Sequence, residues 1–148
     1  MKNNKIRIGL VGKNEFDSRS IKNLLQDLFV ENVIFTVVGH LKGDQVNSGK
    51  LERILKIEEQ FHDMFIIIRD LDGFESEKEK VQERQTWFNK INQSINKKGI
   101  FLLHIQAIES LILADIQAFN HWANVNIKYD KNPMFEPKPA LFLEKHSN

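Results

Sequence analysis

The feature that most restricts the fold is the run Met64-Phe65-Ile66-Ile67-Ile68-Arg69, which closes on Asp70-Leu71-Asp72-Gly73. An apolar, β-branched run of this kind reads as a strand buried on both faces, as in a parallel sheet. Ligands of open α/β sheets bind beyond the carboxyl ends of such strands, which is where Asp70 and Asp72 fall. Carboxylates at positions i and i+2 can turn two hard oxygen ligands toward one cation as the chain leaves the strand, which suits Mg²⁺. The same residues also make a good turn, with Asx hydrogen bonds and a permissive glycine. At this point both readings stand.

The rest of the chain supplies the setting for such a strand. Its 148 residues suit a single domain with a substantial apolar core. Hydrophobic residues make up 41% and charged residues 28%, which excludes a disordered chain and leads to the expectation of a soluble globular protein. No apolar stretch is long enough for a membrane helix, and the polar start Met1-Lys-Asn-Asn-Lys5 lacks the core of a secretory signal. A cytoplasmic location and no membrane partner are therefore expected. The absence of cysteine removes disulfides, thiolate catalysis and thiolate-bound zinc together. The histidines at 40, 62, 104, 121 and 146 have no metal-ligand spacing, so solvated or core roles are expected of them. Lys and Arg total 21 against 20 Asp and Glu, so no global charge draws the chain to nucleic acid. An enzyme that brings a metal to the phosphate is still compatible with that balance.

Along the chain, strands are expected at 5–11, 33–38, 64–69 and 99–104. After the first strand, a loop from Gly12 should end in helix N-cap residues at Asp17-Ser18. Ile21, Leu24, Leu25, Leu28 and Phe29 then repeat with the period of a helix packed on a sheet. A polar loop is expected from Gly39 to Gly49, and a second helix from Leu51 through Phe61, ending near His62-Asp63. A long charged helix over 75–96 should bury Val81, Trp87, Phe88, Ile91 and Ile95, and another helix should run from Ile105 to Phe119. Strands alternating with helices imply right-handed crossovers, hence an α/β fold with a mainly parallel four-stranded sheet flanked by helices. The domain is expected to span 1–119. Residues 120–148, with Pro133, Pro137 and Pro139, should be irregular until a helix begins at Ala140. That helix starts close to the end of the chain, so it should pack on the one before it or belong to a shortened relative of a longer protein.

Two familiar motifs fail. Gly9-Leu-Val-Gly12-Lys13-Asn14 has too short a glycine spacing for a Walker A loop, and Asn14 stands where Ser or Thr is required. A receiver domain would need an acidic pair after the first strand, where this chain has Gly12-Lys13, and a lysine after a fifth strand.

The segments Ile8-Gly-Leu-Val-Gly12-Lys-Asn-Glu15-Phe-Asp17, Ile67-Ile-Arg-Asp70-Leu-Asp72-Gly73 and Ile105-Gln-Ala-Ile-Glu109-Ser-Leu-Ile-Leu-Ala-Asp115 occur in that order. Together they resemble the TOPRIM (topoisomerase-primase) fold, specifically small bacterial proteins related to the OLD (overcoming lysogenization defect) nucleases. In that family the first strand leads to a glutamate beside a glycine, the third to Asp-x-Asp, and a later helix to a Glu segment ending in Leu-Ala-Asp. The resemblance runs from about Ile6 to Phe119. It implies Mg²⁺- or Mn²⁺-dependent cleavage of nucleic-acid phosphodiesters, in defence systems or mobile elements. Asp70 and Asp72 would hold the metal, which would stabilise phosphoryl charge and activate water.

Lys13 stands where the family places its glutamate, and an ammonium cannot replace a carboxylate ligand. Glu15 is the preferred replacement over Asp17, which is expected to cap the helix. Glu109 is a candidate ligand or general base, or else a surface carboxylate favoured by a helix N-terminus. Asp115, six residues on, falls about 120° from Glu109 around one helix and is expected to cap a following turn. Lys13 is a candidate phosphate contact, or an exposed loop lysine. Two functions follow: a metal-dependent nuclease or nuclease subunit, and a catalytically degenerate TOPRIM module that binds a protein or nucleic-acid partner.

Overall fold

A computed structural model describes residues 5–29, 31–40 and 49–147. Residues 1–4 of the polar start and 41–48 of the expected loop lie outside the described residues. Four strands, β1 (Ile6–Gly12), β2 (Val33–His40), β3 (Met64–Asp70) and β4 (Gly99–His104), form one parallel sheet in the order β2-β1-β3-β4. The helices are α1 (Glu15–Leu28), α2 (Lys50–Glu58), α3 (Lys78–Ser94), α4 (Ser110–Ala114), α5 (Ile116–Ala123) and α6 (Pro139–His146). Among the described residues, none of them is long and apolar enough to cross a membrane. The α/β fold with a parallel four-stranded sheet is the one expected. The chain gathers into two compact units, Met1–Arg69 with Gln85–Leu102, and Asp70–Arg84 with Leu103–Asn148.

The first unit contains most of the sheet. β3 lies inside it, and Phe65, Ile66, Ile67 and Ile68 are all buried, as the apolar run required. Each such side chain contributes about 1.5–3 kcal/mol when fully buried. Strand alternation sends Phe65 and Ile67 to one face, where they pack with Val11, Leu51, Leu55, Phe88, Ile91 and Ile95. Ile8 to Val11 pair in parallel with Met64 to Ile67, so the C-terminal ends of β1 and β3 are adjacent. The start of β3 is held by two bonds of 2.8 Å, Arg7 N–H to the Asp63 carboxylate and Asp63 N–H to the Arg7 carbonyl. Gly9 is required here by packing: a Cβ at this position would lie 2.7 Å from the Phe65 ring.

Local capping departs from expectation at α1. Asn14, not Asp17 or Ser18, is the N-cap, its side chain accepting from Asp17 N–H at 2.9 Å. The helix therefore begins three residues early, with Asp17 buried in its first turn. Asn, Asp and Ser are nearly equal as caps, so the choice among 14, 17 and 18 falls to tertiary packing. That packing sets Ser18 against Gly12, so the face of α1 turned to the sheet is Asp17, Ser18 and Ile21. Leu24, Leu28 and Phe29 are exposed instead of buried: among the described residues α1 packs mainly on β2 and β1, and β2 is the edge strand. On α3, Phe88 and Ile91 are buried as expected and Ile95 follows them into the core. Trp87 is half-buried, packed on Phe101 and covered by the Arg69 guanidinium at 4.3 Å from its ring centroid.

In the second unit, the helix expected over 105–119 is split. Asp115 takes φ −125° and ψ 62°, ends α4, and caps α5 by accepting from Ala118 N–H at 3.2 Å. Its expected capping role is present, but Glu109 and Asp115 do not share one helix. Leu113, Ile116, Ile127 and Leu143 form a small core, flanked by Tyr129 and Phe142 in edge contact at 5.1 Å. The extended stretch before Pro133 is held by Asn120, which donates to the Ile127 carbonyl at 2.8 Å and accepts from its N–H at 2.9 Å. The helix expected from Ala140 runs Pro139–His146.

Gly9→Ala should lower stability by about 1–3 kcal/mol in urea denaturation, since the buried Phe65 ring has little room to give way. Tyr129 tests the second core. Burial, then Glu136 and Asp130, raise its phenol above the ordinary 10.0. A raised folded value means a contribution that is complete below the unfolded value and lost as pH rises through the folded one. The Tyr129 hydroxyl also has no hydrogen-bond partner among the described residues. Tyr129→Phe should therefore match or exceed the parent's melting temperature at neutral pH and lose stability less steeply above pH 10, in melts across an alkaline series.

Candidate functional site

All of the geometry around the acidic motif belongs to the second unit. Leaving β3, Leu71 N–H donates to the His104 carbonyl at 2.8 Å, and Asp72 N–H to the Gln106 carbonyl at 2.9 Å. Gln106 N–H returns a bond to the Gly73 carbonyl at 3.1 Å, so the exits of β3 and β4 are zipped together. Closing this zipper puts Asp72 at φ 53° and Gln106 at φ 63°. Asp tolerates the left-handed region because its short side chain bonds locally, whereas Gln seldom enters it.

The turn reading thus holds in a modified form. Asp72, not Gly73, takes the left-handed conformation. Gly73 serves close approach, since a Cβ there would meet the Glu77 carboxylate and the Lys80 ammonium. Glu77 accepts from Phe74 N–H at 2.6 Å, and Lys80 donates to the Asp72 carbonyl. These bonds keep the loop rigid through its backbone and leave the Asp72 side chain exposed.

Asp70 is 9% exposed and His104 7% exposed, with His104 Nδ1 at 3.5 Å from the Asp70 carboxylate. At that separation the two groups touch without a hydrogen bond, and both ring nitrogens of His104 lack a hydrogen-bond partner among the described residues. Sequence spacing had left His104 and His62 among the solvated or core histidines, and both are core. His62 is held through Nδ1 near the Glu58 carbonyl at 3.0 Å. No local pattern relates Asp70 to His104, because only the pairing of β3 with β4 brings them together.

The other candidates are dispersed. Lys13 is exposed, and Glu15 opens α1 with an ion pair to Arg19, both in the first unit. Glu109 is half-buried at the N-cap position of α4 and makes no side-chain cap. Among the described residues, no group of three or more His, Asp or Glu side chains is arranged to hold a metal. Mg²⁺ does not require one, since it commonly binds through one or two carboxylates and keeps water or phosphate for its other positions. Asp70 and Asp72 carry hard oxygens of the kind that ion takes.

Gln106 is the residue that sequence reasoning missed. It is 4% exposed, its Nε2 has no hydrogen-bond partner among the described residues, and with Asp72 it lines a cavity of about 300 Å³ whose other wall includes residues 137–141. Comparison with protein-family models, with curated proteins and with solved structures found no match.

The geometry separates backbone from charge at position 72. Asn tolerates the left-handed region as Asp does, so Asp72→Asn should leave metal-free stability within about 0.5 kcal/mol of the parent. Asp72→Val should lose about 1–2 kcal/mol, because a β-branched residue is strained at that φ. Urea denaturation of the two variants without divalent cation checks both.

Proposed function

We propose that the chain is a TOPRIM-like, divalent-metal-dependent phosphodiester hydrolase acting on nucleic acid, as a nuclease or nuclease subunit. The observation that carries this reading is the exit of β3, where an interior parallel strand ends in buried Asp70 and exposed Asp72 on a backbone-locked loop. Open α/β sheets bind ligands beyond such strand ends. Asp70 and Asp72 would hold Mg²⁺ or Mn²⁺, which when bound supplies charge stabilisation to a phosphoryl group and a more acidic water. His104 sits against Asp70 on the adjoining strand. The zippered backbone holds Asp72 in place without using its side chain. Glu109 is the remaining carboxylate candidate of this unit for general base.

Lys13 in place of the family's glutamate, with no three-ligand group among the described residues, favours a second reading. In it the module has lost catalysis and binds a nucleic-acid or protein partner. Titration of Mg²⁺ or Mn²⁺ into the protein separates the two. The hydrolase reading expects metal to raise the melting temperature of the parent and not of the Asp70→Asn/Asp72→Asn double variant, because stabilisation requires preferential binding to the native state. Equal responses from the two proteins would remove the metal site. Metal-dependent stabilisation without cleavage of single- or double-stranded DNA or RNA would leave the degenerate module as the function.

A further inference from the structure

Asp70 and His104 stand side by side in the interior without satisfying one another. Both are more than nine-tenths buried and belong to the same compact unit. The bond from Leu71 N–H to the His104 carbonyl sets the register that brings them together. An imidazolium paired with a carboxylate draws in to about 2.7–2.9 Å, and a neutral imidazole N–H bonds an oxygen within about 3.2 Å. His104 Nδ1 instead stands 3.5 Å from the Asp70 oxygen, and neither ring nitrogen has a hydrogen-bond partner among the described residues. Buried charge is ordinarily paired or bound to a metal, and a neutral imidazole with no hydrogen bond at Nδ1 keeps that lone pair for coordination.

The separation of the two donors bears on which cation they suit. Two ligands about 2.0–2.1 Å from a tetrahedral Zn²⁺ lie about 3.3–3.4 Å apart, whereas neighbouring ligands of octahedral Mg²⁺ lie about 2.9 Å apart. The observed 3.5 Å is close to the first spacing and well outside the second. Donor chemistry agrees, since imidazole suits zinc and related transition metals while Mg²⁺ takes oxygen. We propose that His104 Nδ1 and the Asp70 carboxylate ligate one divalent cation together, and that His104 makes the site select a Zn²⁺-type metal over Mg²⁺. The inference rests on the reading of Asp70 as a cation ligand and changes the metal that it holds. It also departs from the sequence resemblance, whose ligands are carboxylates and whose third segment begins one residue after His104. No third His, Asp or Glu is grouped with the two among the described residues, so the other coordination positions fall to water or substrate.

The test titrates Zn²⁺ and Mg²⁺ separately into the full chain, reading melting temperature and the long-range ¹H–¹⁵N spectra of its five imidazoles. Zn²⁺ should raise the melting temperature at a concentration at least about tenfold lower than Mg²⁺ requires, and the His104 ring nitrogens should shift with it. His104→Leu replaces two unpaired buried nitrogens with hydrocarbon of similar volume. Its metal-free melting temperature should match or exceed the parent's, and its preference for Zn²⁺ should be lost. If that variant does not fold, the imidazole spectra of the parent decide alone. Equal effective concentrations of the two ions, a Zn²⁺ preference retained by His104→Leu, or Zn²⁺ shifts confined to His40, His62, His121 and His146 would each overturn the proposal. If Mg²⁺ stabilises the parent but not Asp70→Asn, and His104 shifts with neither ion, the nitrogen ligand fails and the carboxylate site survives. If neither ion stabilises the parent, the cation reading fails as well.

Discussion

The parallel pairing of β3 with β1, buried on both faces, is the constraint from which the rest of the arrangement follows. Phe65 and Ile67 supply one core, Ile66 and Ile68 are buried on the opposite face, and Gly9 yields its side-chain volume to the Phe65 ring. A strand buried in this way cannot slip by one residue without sending both sets of side chains to the wrong face. Its register against β1 is fixed further by the reciprocal bonds of Arg7 and Asp63. Consequently Asp70 is the residue at which the strand ends and Asp72 falls in the loop beyond it.

That loop departs from local preference in a way that has a structural cause. Three backbone bonds tie the exits of β3 and β4, and they place two non-glycine residues in the left-handed region. Asp72 enters it readily, while Gln106 is held there by bonds on both its N–H and its carbonyl. Strain maintained by surrounding structure is often found at ligand sites, and here it coincides with a cavity and a buried amide that has no partner among the described residues. Glu77 and Lys80 complete the loop from the start of α3 and lie close against Gly73, where a side chain would make them shift.

The acidic groups divide by environment. Asp70 faces a buried histidine, Asp72 is solvent-exposed beside a helix N-terminus, Glu15 is engaged with Arg19, and Glu109 stands at the start of a short helix. The reading as a hydrolase depends on the first two acting together on one cation. The reading as a binding module depends on Lys13 and the absence of a third clustered ligand among the described residues.

The amino-acid sequence by itself determined what depends on neighbours a few residues apart. Apolar β-branched runs located all four strands, their alternation with helical periods set the parallel α/β class, and Asp115 could be read as a cap because its partner Ala118 is three residues away. Where several local solutions have nearly equal energy, packing chose among them: Asn14 over Asp17 and Ser18 as the cap of α1, and two short helices in place of one at Asp115. Leu24 and Leu28 show the same limit, since helical period marks an apolar face but the number of strands beneath it decides what is buried. The contact of Asp70 with His104, the left-handed Gln106, and the cavity shared by Asp72 and residues 137–141 were decided by tertiary structure alone. Strand pairing and chain return bring these residues together across 33 or more positions in sequence, a separation at which side-chain pattern carries no information about distance.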